Sequence, residues 1–166
     1  MIWGLTTSTF TAVHVVLSLV GIGSGLVVLF GILAGRRFER WTALFLASTI
    51  ATCVTGFGFP FDHLLPSHKV GILSLFLLAL AIVALYVVHL AGAWRRIYVI
   101  CAVLALYLNV FVLVVQLFEK VSALKAIAPT QKEPPFVITQ LAVLFLFGFL
   151  AVLAAIRFRA QPAPPT

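Results

Sequence analysis

A chain of 166 residues that is 63% hydrophobic and only 9% charged cannot clothe a water-soluble globule, whose residues are normally about a quarter charged. Its net charge of +7 does not point to nucleic acid, because the basic residues sit in small groups at the ends of apolar runs and form no stripe interleaved with aromatics. The mean hydropathy of +1.22 and apolar runs of about 18 residues or more predict an all-α, polytopic membrane protein. Residues 1–160 read as one bundle of five transmembrane helices, with the proline-rich 161–166 as a disordered tail.

The first helix is expected over 7–34, ending at Gly35-Arg36-Arg37. It follows no basic n-region and precedes no small-residue cleavage site, so it reads as retained, not as a signal peptide. Its His14, Ser18, Gly21 and Gly25 share one face, a seam on which helices can approach closely, within the chain or between two copies.

The second, 41–58, begins at Trp41 and stops at the helix breakers of Gly58-Phe59-Pro60. Ser48, Thr52 and Thr55 form its polar face, and such hydroxyls often bond their own backbone. The third, 68–92, follows Ser67 as a capping residue and runs to Gly92. The fourth, 96–118, follows Arg95-Arg96; Ala102, Ala105, Asn109 and Gln116 line one face of it. The fifth, 135–157, follows Pro134-Pro135 and ends at Arg157. Cys53 and Cys101 fall inside apolar runs and read as small buried side chains.

Alternating the crossings sorts the cations. Arg36, Arg37, Arg40, Arg95, Arg96, Arg157 and Arg159 fall on one side; Lys69, Lys120, Lys125 and Lys132 fall on the other, with Asp62, Glu119 and Glu133. The positive-inside rule then puts the arginines in the cytoplasm, the N-terminus outside and the C-terminus inside. Trp3, Trp41 and Trp94 at run ends match the headgroup layer.

The densest ionisable segment, Phe59 to Lys69, lies on the outer side with Asp62, His63 and His68. His14 enters from that side; Gln116, Glu119 and Gln140 meet it there. This predicts a polar site built from His14, His63, His68, Asn109 and Gln116. Three chemistries suit it: a metal ion on His14, Asp62, His63 and His68, a haem between two histidines, or a quinone or other small apolar molecule exchanging protons with histidine and oriented by the amides.

The bland reading is a set of interfacial histidines, with Asn109 making an interhelical hydrogen bond. His89, alone near the cytoplasmic end of the third helix, suits snorkelling or a bond to Tyr98, and its isolation counts against a two-haem bundle. No phosphate loop, dinucleotide fingerprint, nucleophile elbow or HExxH motif occurs, so enzymatic activity is open. Neither lysine nor carboxylate interrupts the runs, and no repeat suggests a transporter.

The stretches Thr-Gly-Phe-Gly-Phe-Pro-Phe, Leu-Pro-Ser-His-Lys-Val-Gly, Leu-Tyr-Leu-Asn-Val-Phe-Val-Leu-Val-Val-Gln and Ala-Pro-Thr-Gln-Lys-Glu-Pro-Pro-Phe, within residues 53–136, resemble those of a family of small, uncharacterised bacterial polytopic inner-membrane proteins. That resemblance implies a bacterial inner membrane and supplies no activity. Two functions therefore stand: a redox or small-molecule-binding membrane protein, or a non-enzymatic subunit or assembly factor that packs against other membrane subunits or its own copies. The lipid bilayer is the surrounding partner in both.

Overall fold

The N-terminal residues fold into a tight reversal in which Ile2 and Leu5 exchange backbone hydrogen bonds of 2.9 and 3.0 Å, with Trp3 and Gly4 at positive φ. Thr6 then caps the first helix, accepting the Thr9 amide at 3.2 Å. The computed structural model describes residues 2–59 and 66–158; Asp62, His63 and the 161–166 tail lie outside them. The described residues form α1 (Thr7–Leu33), α2 (Glu39–Gly56), α3 (Pro66–Ile82), α4 (Trp94–Lys120), the short α5 (Ser122–Ile127) and α6 (Pro134–Arg157).

Four helices are long and apolar enough to cross a membrane by length and composition: Thr7–Leu33, Pro66–Val87, Trp94–Lys120 and Pro134–Arg157. The second expected crossing is not among them. At 18 residues, α2 would be about 27 Å long, and its opening Glu39-Arg40 and its Thr42, Ser48, Thr49, Thr52 and Thr55 dilute the apolar content. Those polar groups are turned inward: Thr42, Ser48 and Thr49 are buried. The hydroxyls of Ser48, Thr52 and Thr55 donate to the carbonyls of Leu44, Ser48 and Ala51 at 2.6, 2.9 and 2.7 Å, which lowers the cost of burying them.

α1 and α2 form an antiparallel hairpin whose register can be followed from end to end. His14 meets Thr55, Gly21 faces Thr49, Gly25 faces Phe45 and Gly31 faces Phe38. Gly25 is the tightest point inside the helices: a Cβ there would fall 2.7 Å from Leu106 Cδ1 and 2.9 Å from the Phe45 ring. The small-residue seam of α1 thus serves packing inside the chain.

The third helix ends sooner than expected. After Ile82 it widens into a π-helical turn, Val83–Val87, and the chain leaves it through His89 and Leu90, at φ 51° and 60°. The Leu90 amide reaches back to the Ala84 carbonyl at 2.8 Å, closing the helix six residues away without the glycine that normally takes this role. The helix also starts at Pro66, so Ser67 lies in its first turn and does not cap it.

Between α4 and α6, α5 folds back over the bundle: Ala128, Val114 and Phe118 form a small core with Phe136 and Leu124 around it. Glu133 organises the return, accepting the Thr130 hydroxyl at 2.8 Å and the Lys132 amide at 3.0 Å, and Pro134 and Pro135 then open α6. Desolvation pushes the Glu133 carboxyl up, but hydrogen bonds from its own backbone, Thr130 and Lys132 outweigh it and hold the group below its ordinary value.

The main core lies where α4 crosses the other long helices, with Phe45, Leu78, Tyr98, Val99, Ala105 and Leu106 almost fully enclosed. Alternation of the helices gathers Arg36, Arg37, Arg40, Arg95, Arg96 and Arg157 at one end of the bundle, where Tyr98 packs on Phe158. Lys120, Lys125 and Lys132 gather at the other, beside the α5 core.

Candidate functional site

At the lysine end, the segment Thr55-Gly56-Phe57-Gly58-Phe59 builds a small aromatic enclosure around His14. The Thr55 hydroxyl spends its proton on the Ala51 carbonyl, so its oxygen accepts from His14 Nδ1 at 2.8 Å. In the neutral imidazole this leaves the lone pair on Nε2. The Phe59 ring stands edge-on to His14, with centroids 5.4 Å apart, and edge-on to Phe10 at 5.1 Å; Phe10 in turn meets Trp3 at 5.3 Å. Such edge contacts align the positive rim of one ring with the negative face of the next.

The two glycines make the enclosure possible. A Cβ on Gly58 would lie 2.7 Å from Phe10 Cζ and 3.3 Å from Trp3 Cζ2, so any larger residue would push the aromatic cluster apart. Gly56 lies against His14, where a Cβ would sit 3.6 Å from Cε1. Phe57 points elsewhere and stacks on His68, with centroids 5.4 Å apart and planes 19° from parallel. His14 and the buried His68 therefore flank the last turn of α2, each against its own phenylalanine.

Asn109 sits farther into the bundle. Its Nδ2 donates to Thr49 Oγ1 at 3.2 Å, beside Ser48 and opposite Gly21. Gly21 is seven residues past His14, about 10 Å along the helix, so Asn109 joins α4 to α2 instead of lining the His14 enclosure. Gln116 is exposed. Two other amides bind the α4 backbone at this end: Gln131 donates to the Val115 carbonyl at 3.1 Å and Gln140 to that of Phe111 at 3.2 Å.

His89 lies at the opposite end and is exposed. The bond to Tyr98 entertained from the sequence is not formed: His89 is exposed, and the buried Tyr98 hydroxyl neighbours Thr42 instead.

No family model, curated protein or solved structure matches the chain. The site must be read from its own chemistry. Among the described residues, no three histidine, cysteine or carboxylate side chains come together as a metal site, and Asp62 and His63, two of the four candidate ligands, lie outside those residues. Cys53 and Cys101 are free and buried. The described part of the site can offer one imidazole nitrogen lone pair, a hydroxyl-fixed ring orientation and aromatic walls. That is the equipment for hydrogen bonding to, or exchanging a proton with, a mostly apolar molecule.

Sequence reasoning singled out His14 and Thr55 on separate helices but did not pair them, and it missed Thr49, Phe10, Phe57 and Phe59. The alternation of glycine and phenylalanine in residues 55–59 was the available signal, because small residues between large rings imply close approach.

Proposed function

We propose that the protein is a bacterial inner-membrane protein that binds a small apolar molecule carrying a hydrogen-bonding oxygen, of the quinone type, at His14. In this reading α2 also crosses, giving five spans with the N-terminus outside and the C-terminus cytoplasmic. The antiparallel run of α2 beside α1 and the inward burial of its polar face support the fifth crossing. Segregation of arginines and lysines to opposite ends of the bundle supports the orientation.

The observation that carries the binding proposal is the His14–Thr55 pair walled by Phe59 and Phe10. The fixed tautomer presents Nε2 as an acceptor for a ligand hydroxyl, and the rings provide an apolar face against which a flat molecule can stack. Among the described residues no three metal-ligating side chains come together, and the aromatic walls around His14 favour this ligand class over a metal ion. Haem gains less support because His14 and His68 are each engaged with a different phenylalanine.

Titration of the purified protein with a short-chain ubiquinone or menaquinone analogue, read by Trp3 fluorescence, tests the proposal. Quenching that saturates in the native protein and is lost in His14→Ala is expected. Unsaturable quenching, or equal quenching in both, would sink it. An absorption spectrum and metal analysis of the same sample separate haem and metal from quinone.

The alternative, a non-enzymatic subunit or assembly factor, draws on α6. Its Ile138, Phe145, Phe149, Val152 and Ile156 are 60–72% exposed, a face that either lipid or another membrane subunit would cover. Purification in mild detergent distinguishes them: co-purifying subunits or a stable homo-oligomer favour the alternative, and a lone monomer counts against it.

A further inference from the structure

At the arginine end, the first turn of α4 runs beside the last two turns of α6, and the two helices leave a cleft of about 450 Å³ between them. Its polar end is made by Arg95 and Arg96; Ile100 lines it one turn deeper on α4, about 6 Å from Arg96. On α6 the lining is Ala151, Val152, Ala155 and Ile156. We propose that this cleft binds one anionic phospholipid, its phosphodiester at the two arginines and an acyl chain lying along α6.

The apolar part is a trough open to the bilayer. Ala151 is buried and Ala155 half-buried, and these short side chains, one turn apart, form a floor. Val152 and Ile156 are 60% and 71% exposed and stand beside it with Ile100. Gly148 continues the same face of α6, and a Cβ there would meet nothing within 4 Å. From Ile156 to Gly148 the trough is about 12 Å long, running from the arginines into the hydrocarbon. An extended chain of methylenes suits that shape, and a small soluble anion would leave it empty.

The charged part is complementary to the headgroup. No carboxylate lines the cleft. The described carboxylate at this end, Glu39, pairs with Arg37, and among the described residues neither Arg95 nor Arg96 has an ion-pair partner. Arg95 is half-buried and its Nε is covered by protein without a hydrogen bond. Packing of its stem therefore holds this side chain at the cleft, leaving its terminal nitrogens for a ligand. Trp94, packed against the core one residue earlier, marks the level at which an amphipathic ring meets headgroups. A guanidinium pair at that level, above an apolar groove between two spans, recognises a lipid phosphate by its forked donors. Phosphatidylcholine carries the same phosphate but adds a cation that the arginines repel, so the site selects a headgroup of net negative charge.

Native mass spectrometry of the intact chain in an uncharged detergent tests this directly. Short-chain phosphatidylglycerol is expected to form a one-to-one adduct at about tenfold lower concentration than short-chain phosphatidylcholine. Arg95→Gln with Arg96→Gln should remove that preference. Arg36→Gln with Arg40→Gln, an equal loss of charge at the same end, should keep it. Val152→Trp leaves both arginines in place and lays a large ring over the trough towards Gly148; because Val152 is exposed, the fold should tolerate it. It should weaken the phosphatidylglycerol adduct about tenfold.

Equal adducts with the two lipids, or equal losses in the two double variants, overturn the proposal. So does an unchanged adduct in Val152→Trp, which would leave the acyl chain no role. Glycerol phosphate, the head without the tail, should not displace the lipid at the same concentration, and displacement would assign the arginines to a soluble phosphate instead. A homo-oligomer that takes up no phosphatidylglycerol would assign the trough to a second copy of the chain. None of these readouts depends on His14.

Discussion

The two ends of the bundle hold their polar groups with different kinds of local structure. At the lysine end, Thr55 both donates to Ala51 and accepts from His14, and Glu133 gathers Thr130 and Lys132. At the arginine end, the enclosed Thr42 and Tyr98 hydroxyls have each other for neighbours, and His89 and Leu90 hold left-handed backbone that side chains resist. Satisfied groups behave as architecture.

The sharpest way to break that contrast is to disturb the satisfied end. Gly58→Ala places a methyl group against Phe10 and Trp3 and is expected to destabilise by about 1–3 kcal/mol, read as a lower thermal midpoint in detergent. A neutral result would mean that the aromatic enclosure is loose.

Paired hydroxyl deletions come next. Thr55→Val strips His14 Nδ1 of its acceptor and should cost about 1 kcal/mol, whereas Thr42→Val removes only the loosely placed neighbour of the Tyr98 hydroxyl and should cost less. Equal losses would erase the distinction between the ends.

A smaller effect of opposite sign is expected from His89→Gly. Relief of left-handed strain of roughly 1–2 kcal/mol is offset by the backbone entropy of glycine, roughly 0.5–1 kcal/mol, leaving a modest gain in thermal midpoint.

The smallest effect concerns Glu133. Its carboxyl is held below its ordinary value, so the ordering it provides is present above the unfolded carboxylate range and is lost as pH falls through the lower, folded value. Amide exchange at Thr130 and Lys132 should therefore accelerate under acid, and Glu133→Gln should exchange faster at neutral pH.

Much of this arrangement was legible in the residues. Runs of apolar side chains marked α1, α4 and α6 to within two residues, because each must satisfy its backbone internally. The inward face of α1 followed from the spacing of His14, Ser18, Gly21 and Gly25. The end of α3 was not legible: Val83 to Gly92 continues the apolar pattern, and a π turn leaves no composition signal. Nor could the sequence match Asn109 to Thr49, since the partner of a buried amide depends on the depth at which α2 and α4 meet. Sharing an end of the bundle does not bring side chains together either, as the exposed Gln116 and the deeper Asn109 illustrate.

The hairpin of α1 and α2 carries one more implication. The steps along α1 from His14 through Gly21 and Gly25 to Gly31 are matched to within one residue by steps back along α2 through Thr55, Thr49, Phe45 and Phe38. The two helices therefore interlock like the teeth of a closed zip, with His14 and three glycines on one side and hydroxyls or rings on the other. Adding a single residue inside either helix would offset the teeth on one side of the insertion, moving glycines from opposite bulky side chains while leaving overall hydropathy almost untouched. Length, far more than composition, is what this half of the molecule cannot tolerate changing.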